Sequence, residues 1–107
     1  MSGPLVSIVM PVYNRAWIVT EAIESVLALD MVDWELVLVD DCSTDATWDR
    51  ITRARSDDPR VRGIRHGRNR GQSAALWTGF MASRGSILAT LDGDLQNDPA
   101  DFPELAG

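Results

Sequence analysis

Residues 34–49, WELVLVDDCSTDATWD, contain the change of pattern that decides the fold. Residues 34–39 are an apolar run with the length of one strand, and their valines favour an extended backbone. The polar residues 40–44 then end the strand abruptly, and Ser43 or Thr44 can cap the helix that follows. A buried strand that leads through an acidic turn into a helix is typical of α/β proteins.

The same unit recurs on both sides of this stretch. Strands are expected at Leu5–Val12, Trp34–Val39, Val61–Arg65 and Ser86–Leu91, and helices at Ala16–Leu29, from the acidic turn to about Ser56, and at Gly71–Ser83. Small residues at every fourth position of the last helix should let it approach the sheet closely. The order predicts one α/β domain over residues 1–107, with a Rossmann-like, mostly parallel sheet and helices on both faces. A further helix from about Ala100 stops at Gly107, so we expect the domain to be incomplete.

Charge is unevenly distributed along the chain. Residues 1–49, 50–84 and 85–107 carry −8, +7 and −5, which gives a net charge of −6. Every basic residue is arginine, which suits bidentate contacts with phosphate or carboxylate. However, the pI is about 4.5, and no aromatic residues are interleaved among the arginines. Both features argue against nucleic acid as a partner.

The cysteine count and the apolar runs bear on the compartment. Cys42 is the one cysteine, so an internal disulfide is excluded and a reducing environment is expected. The longest apolar runs, near residues 5–12 and 86–91, are less than half of the roughly 20 residues that a membrane helix needs. We therefore expect no membrane segment in this chain and a cytoplasmic location, which for the full-length protein includes the cytoplasmic face of a membrane.

Polar residues follow three of the predicted strands where each strand ends. They are Pro11, Tyr13 and Asn14, then Asp40 and Asp41, then Asp92, Asp94 and Gln96. Because the carboxyl ends of parallel strands share one edge of a sheet, these groups should lie close together. Clustered carboxylates repel one another unless they are solvated or bind a cation. Asp92 and Asp94 could hold Mg²⁺ or Mn²⁺ and leave positions for water and phosphate oxygens, or they could simply form a turn.

Four segments carry these residues: VSIVMPVYN (6–14), ELVLVDDCSTD (35–45), NRGQSAAL (69–76) and LDGDLQNDP (91–99). Together they resemble family 2 glycosyltransferases, and the nearest subgroup is the polyprenyl-phosphate sugar synthases of the dolichol-phosphate mannose synthase type. The motifs occur in the family's order and cover nearly the whole chain. A haloacid-dehalogenase-like phosphatase fits less well, because Leu95 stands where that family has Thr or Val. A dinucleotide-binding module would need a Gly-x-Gly-x-x-Gly after the first strand, which is missing.

The resemblance implies a GT-A fold in which this half binds a nucleotide-diphosphate sugar. Pro11 and Tyr13 would line the nucleoside pocket, and Asp41 would hydrogen-bond the base or ribose. Asp92 would contact the donor and, together with Asp94, hold the metal ion on the diphosphate.

Gln96 would be a third contact of that Mg²⁺ or Mn²⁺ ion. The resemblance further implies metal-dependent transfer of the sugar, with a polyprenyl phosphate as acceptor. The acceptor base is expected beyond residue 107, so the fragment alone should be inactive. The alternative is a truncated, non-catalytic nucleotide-sugar-binding fragment. In either case we expect an exposed apolar edge and possible self-association of the fragment.

A few residues depart from the family pattern or lack an assigned role. Cys42 replaces the usual glycine of the Asp-Asp-Gly-Ser turn, and we interpret it as a tolerated small residue. His66 is interpreted as a loop residue. Arg68 or Arg70 is a candidate for contact with the diphosphate. Packing roles are expected for Trp17, Trp34, Trp48 and Trp77.

Overall fold

The computed structural model describes residues 4–30 and 33–91. Its elements in chain order are β1 (Val6–Val12), α1 (Val19–Leu27), β2 (Trp34–Asp40), α2 (Thr47–Asp57), β3 (Val61–Arg65), α3 (Gln72–Ala82) and β4 (Ile87–Thr90). The predicted metal residues Asp92, Asp94 and Gln96, and the helix predicted from Ala100, lie outside the described residues.

The four described strands form one parallel sheet in the order β3-β2-β1-β4. In the register of the central pair, Val6 lies beside Trp34 and Val12 beside Asp40. The chain winds outward from β1 through β2 to β3 and then crosses to the other side of β1 to form β4. The direction of winding therefore reverses between β1 and β4, where the carboxyl ends of the strands open a crevice. The prediction of a parallel α/β sheet is confirmed.

Helices cover both faces of the sheet, as predicted. Side chains alternate along β1, so Ile8 and Met10 pack in one apolar cluster with residues of α1 and α2, whereas Val9 packs in a second cluster with Ala75 of α3. All four of these side chains are fully buried. Because both faces are covered, the central strands are apolar without alternation, which is the pattern of buried parallel strands.

The close approach of α3 to the sheet depends on Gly79. A Cβ atom added to Gly79 would collide with the side chain of Val9 and would lie 3.3 Å from a methyl group of Val39. Gly79 and the buried Ala75 thus have the packing role that the sequence predicted, whereas a Cβ atom at Gly71 would meet no described atom within 4 Å.

Several element boundaries differ from the sequence prediction by one to three residues. α1 begins at Val19 and not at Ala16, because Ile18 and Val19 both donate backbone hydrogen bonds to the carbonyl of Arg15 in a preceding turn. α1 also ends at Leu27, two residues early, and β4 is one residue shorter at each end than Ser86–Leu91.

The predicted cap of α2 is wrong. The helix begins at Thr47, and the side chain of Asp45 accepts the Thr47 N–H at 3.0 Å. The hydroxyls of Ser43 and Thr44 instead contact Asp40 and Asn14. Ser43 and Thr44 therefore join the loop after β2 to Asp40 and to the loop after β1, and neither caps α2.

The tryptophans divide into two groups. Trp34 is buried with the guanidinium of Arg60 4.1 Å above its ring, and Trp48 is half-buried beside the core. Trp17 and Trp77 are 72% and 66% exposed, so the packing prediction is wrong for them. Met81 and Leu88 are also exposed. Among the described helices, none has both the length and the apolar character needed to cross a membrane.

Candidate functional site

The loops that follow β1 and β2 are joined by hydrogen bonds at the carboxyl edge of the sheet. Asn14 donates its backbone N–H to Ser43 Oγ at 2.8 Å, and Asn14 Oδ1 accepts the backbone N–H of Thr44 at 2.8 Å. Asn14 and Cys42 both have positive φ, at 51° and 64°. Asparagine tolerates this left-handed conformation well, whereas cysteine adopts it less readily and glycine would adopt it without strain.

A second pair of hydrogen bonds connects the turn before α1 with the start of α2 and the residue two positions before it. The backbone N–H groups of Arg15 and Ala16 donate to Thr47 Oγ1 at 2.9 Å and to Asp45 Oδ2 at 3.2 Å. The loop after β1 is therefore held by side chains of the loop after β2. These bonds hold the loop that carries Tyr13 at the carboxyl edge of the sheet, where Tyr13 is 41% exposed. Pro11, the other predicted pocket residue, is partly buried inside β1.

Asp40, at the end of β2, is fully buried and serves the loop that follows it. Its Oδ1 accepts the backbone N–H of Ser43 at 3.1 Å and also the Ser43 hydroxyl. Its Oδ2 lies 3.6 Å from Arg65 Nε and has no hydrogen bond among the described residues. We assign Asp40 to shaping the loop after β2.

Asp41 has a different environment. Its Oδ1 accepts hydrogen bonds from His66 Nδ1 and from the Arg70 backbone N–H, both at 2.8 Å, and its Oδ2 accepts the Gly71 N–H at 2.8 Å. Burial acts to raise the pKa of Asp41, but the N–H donors of Arg70, His66 and Gly71 outweigh it and hold the pKa below its ordinary value. Asp41 is therefore a carboxylate at neutral pH.

His66 lies in the loop after β3, as the sequence indicated, and it is also buried and hydrogen-bonded. It follows β3 directly, is 7% exposed, and places its ring between Asp41 and Thr78 of α3, with Nε2 2.8 Å from Thr78 Oγ1. Its backbone N–H also continues the β2–β3 pairing by donating to Asp40 O at 2.9 Å. The signal in the sequence was the position of this histidine directly after a predicted strand, the strand that follows the one before Asp41.

The remaining predicted site residues are only partly located by the structure. Arg68 and Arg70 are exposed in the loop between β3 and α3, and only the backbone of Arg70 has a described role. Within residues 4–30 and 33–91, no group of three or more His, Cys, Asp or Glu side chains could hold a metal ion. Leu91 is buried and donates its N–H to Val9 O at 3.0 Å, so the described chain leaves the sheet beside β1.

A doubly wound parallel sheet with polar loops at its carboxyl edge defines a ligand-binding α/β domain. The glycosyl transferase family 2 pattern matches residues 7–107. The chain belongs to this family, and the resemblance seen in the four motifs is confirmed.

Curated relatives cover nearly the whole chain. It is 44% identical over 107 residues to dodecaprenyl-phosphate galacturonate synthase of Rhizobium johnstonii, matching 92% of this chain and 30% of that protein. It is 39% identical over 104 residues to undecaprenyl-phosphate 4-deoxy-4-formamido-L-arabinose transferase of Pectobacterium carotovorum, matching 94% of this chain and 32% of that protein. The chain thus spans about a third of the length of these relatives.

A solved structure shares the fold. A mannosyltransferase from Pyrobaculum calidifontis, in complex with GDP-Man and Mn²⁺, superposes with a TM-score of 0.83 at 27% sequence identity. The match covers 99% of this chain and 31% of that chain. The predicted Rossmann-like GT-A architecture is therefore confirmed.

Proposed function

We propose that this chain is the nucleotide-sugar-binding part of a metal-dependent family 2 glycosyltransferase. The full-length protein would transfer a sugar from a nucleotide-diphosphate sugar to a polyprenyl phosphate. The observation that carries this proposal is Asp41, an ionised carboxylate held at the carboxyl end of β2, next to β1, the strand at which the winding reverses. The names of the relatives support the donor and acceptor classes.

Nucleoside recognition is assigned to Pro11, Tyr13 and Asp41. Tyr13 offers an exposed aromatic ring on a loop that side chains of the neighbouring loop hold in place. Asp41 would accept a hydrogen bond from the base or ribose, and such a bond to a charged group contributes about 1.5 to 3 kcal/mol. A rigid loop lowers the entropy cost of ordering these groups when the ligand binds.

The metal ion, Mg²⁺ or Mn²⁺, is assigned to Asp92 and Asp94, with Gln96 as a third contact and Asp92 also near the donor. The Mn²⁺ bound in the Pyrobaculum structure supports the use of a divalent ion. The ion, when bound, would neutralise charge that builds on the leaving diphosphate. Arg68 or Arg70, in the exposed loop after β3, would add a guanidinium contact to the phosphates.

Transfer needs a base that reaches the acceptor oxygen. The acids of the described carboxyl edge are engaged elsewhere: Asp40 holds Ser43, Asp41 holds the α3 turn, and Asp45 holds Thr47. We therefore propose that the acceptor base lies in a part of the full-length enzyme beyond residue 107. The 107 residues alone would bind the donor without transferring the sugar.

Calorimetry tests the binding proposal. The chain is titrated with UDP and with GDP, each in the presence of Mn²⁺, and the same titrations are done with Asp92→Asn and Asp94→Asn. We expect each substitution to weaken binding of the Mn²⁺–nucleotide pair and to have little effect on nucleotide alone, because phosphate oxygens complete the metal's ligand set.

Asp57→Asn is the matched control, since Asp57 is exposed at the end of α2. Wild-type affinity in both Asp92→Asn and Asp94→Asn would remove the metal assignment. If neither nucleotide binds to the unmodified chain, the nucleotide-sugar proposal is wrong.

A transfer assay separates the enzyme from the binding fragment. The purified chain is incubated with Mn²⁺, nucleotide sugars and a polyprenyl phosphate, and the lipid-linked sugar is followed. We expect no product from the 107 residues and product from a full-length enzyme. Product from the chain alone would show that the acceptor base lies within it.

A further inference from the structure

The hydrogen bonds that Asp41 makes with residues 4–30 and 33–91 leave one acceptor position open. An ionised carboxylate offers about four lone-pair positions, two on each oxygen. Oδ1 uses both of its positions, for His66 Nδ1 and for the Arg70 N–H, and Oδ2 uses one, for the Gly71 N–H. The side chain of Asp41 is 6% exposed, so only a small part of its surface is accessible to a ligand donor.

Two of the three donors to Asp41 are backbone groups of one turn. Gly71, with φ of 95°, precedes α3 and turns its N–H and that of Arg70 toward the carboxylate. These donors hold both oxygens but come from the same loop. The third donor, His66, comes from the end of β3 and fixes the carboxylate from another direction.

The proton of His66 is set by its neighbours. A carboxylate only accepts hydrogen bonds, so Nδ1 of His66 carries the proton that is shared with Asp41. In the neutral ring, Nε2 then accepts the hydroxyl proton of Thr78, 2.8 Å away. The result is a hydrogen-bonded chain from the partly buried Thr78 hydroxyl through the buried imidazole to Asp41 Oδ1. It connects α3 with the end of β2.

We infer that His66 is a positioning residue for nucleotide recognition. It holds the Asp41 carboxylate so that the remaining acceptor position on Oδ2 is left for an N–H or O–H donor of the nucleoside. This inference rests on the proposed role of Asp41. Thr78 contributes indirectly, because its hydroxyl holds the imidazole ring of His66 in place.

Two substitutions of His66 separate its two contacts. In His66→Asn the amide nitrogen occupies the bonded position of Nδ1 and can still donate to Asp41. In His66→Gln the amide nitrogen occupies the position of Nε2 and keeps the contact with Thr78 while losing the donor to Asp41. Nucleotide affinity is measured by calorimetry and the thermal midpoint by calorimetric unfolding.

We expect His66→Gln to weaken binding of UDP or GDP by about tenfold, as for loss of a hydrogen bond to a charged group. His66→Asn should retain affinity within about threefold of wild type. Thr78→Val should cause a smaller loss than His66→Gln. Thr52→Val is its matched control, because the Thr52 hydroxyl donates to Asp49 O within α2, and this variant should bind nucleotide as wild type does.

His66 is the only histidine of the chain, so its imidazole nitrogens can be followed by NMR without overlap. Addition of nucleotide with Mg²⁺ should shift the Nδ1 resonance with the same dissociation constant as calorimetry gives.

Equal affinity of His66→Gln and wild type would overturn the inference while leaving the proposed function intact. So would an equal loss in both His66 variants that follows their thermal midpoints, because that pattern marks a structural role. An imidazole signal that does not respond to bound nucleotide has the same meaning. A wild-type chain that binds neither nucleotide overturns the proposed function and this inference together.

Discussion

Two buried carboxylates lie at opposite edges of the sheet, Glu35 at the amino edge and Asp41 at the carboxyl edge. Their side chains are 1% and 6% exposed, and both belong to the segment from the start of β2 to the turn after it. The two carboxylates differ in the groups that bind them. Glu35 is enclosed by two guanidinium groups, whereas Asp41 is held by backbone N–H groups and one imidazole.

The amino-edge network connects three strands and the end of α3. Glu35 Oε1 lies 2.9 Å from Arg62 Nη1 and 2.9 Å from Arg84 Nη2, and Oε2 accepts the Ser7 hydroxyl at 2.5 Å. Arg62 also donates to Ala82 O at 2.7 Å. Burial acts to raise the pKa of Glu35, but the hydrogen bonds from Ser7, Arg84 and Arg62 outweigh it and lower the pKa to about 2.

The difference shows how one chemical group serves two purposes in a parallel sheet. At the amino edge the carboxylate is fully matched by charged partners, so its contribution is to stability. At the carboxyl edge the donors to Asp41 leave an acceptor position, and the loops converge on the place where ligands bind in such folds. The comparison predicts that substitutions at Glu35 affect folding and that substitutions at Asp41 affect binding.

The largest expected effect is that of Glu35→Gln. Removing the charge of Glu35 leaves two partly exposed guanidinium groups, those of Arg62 and Arg84, without their partner, so the free energy of unfolding should fall by about 3 kcal/mol. Nucleotide affinity of the folded protein should not change. Urea unfolding and calorimetry measure the two quantities, with Glu24→Gln on the exposed side of α1 as the control.

Asp41→Asn should show the reverse pattern, with a larger loss of nucleotide affinity than of stability. If the two variants lose affinity to the same extent, the division of roles between the two edges is wrong.

Acid should lower the stability of the fold through Glu35 at the amino edge. The pKa of Glu35 is about 2 in the folded chain against 4.5 for an ordinary glutamate. Its contribution is therefore complete above pH 4.5 and is lost as the pH falls toward 2. The loss amounts to at most about 3 kcal/mol.

Urea unfolding at several acidic pH values measures this loss. We expect a shallower decline with falling pH in Glu35→Gln than in wild type. The lowered pKa of Asp41 acts in the same direction, so some decline remains in the variant. Identical slopes for the two proteins would contradict the role of Glu35.

Substitution of Gly85 and of Gly67 tests how tightly each edge of the sheet is packed. A Cβ atom on Gly85, at the amino edge, would lie 2.7 Å from Ser7 N and 2.8 Å from Ser7 Oγ. Gly85→Ala should therefore push Ser7 away from Glu35 and lower the free energy of unfolding by about 1 to 3 kcal/mol.

Gly67, in the loop at the carboxyl edge, has no atom within 4 Å of an added Cβ. Gly67→Ala should change the free energy of unfolding by less than about 0.5 kcal/mol. Equal stabilities of the two variants would show that the amino edge has room to relax.

The smallest expected effect concerns Cys42, whose φ of 64° is unfavourable for a residue with a side chain. Cys42→Gly relieves this strain but adds flexibility to the unfolded chain, so we expect a gain in stability of about 0.5 kcal/mol. Cys42→Ala keeps the strain and should give no gain. A stabilised Cys42→Ala would show that the thiol, and not the backbone, is the source of the cost.

The strands and the parallel sheet could be predicted because they follow from local patterns. Val61–Arg65 was placed at its observed bounds, and Gly71 and Ser83 bracket α3 as caps. The start of α1 was placed too early because the backbone N–H groups of residues 15 and 16 bond to the side chains of Thr47 and Asp45, about 30 residues away. The periodicity of apolar residues reflects only nearby positions, so it cannot predict such long-range bonds.

The site was predicted only in part. Asp41 was named from its place at a strand end, and its ligand role stays a prediction, as do those of Pro11 and Tyr13. Its actual partners escaped prediction, because His66 and the turn at residues 70–71 are 25 to 30 residues away in sequence. The predicted metal residues lie outside the described part of the chain, and their role also stays a prediction.

By itself, the sequence determined the order of strands and helices, the family motifs and the presence of acids at strand ends, because each depends on neighbouring residues. Only the tertiary structure decided what each buried acid does. Glu35 and Asp41 are both acids in or beside a buried strand, yet one meets two guanidinium groups and the other meets a glycine turn and an imidazole. The energy of a buried charge depends on the groups that the fold brings to it from elsewhere in the chain.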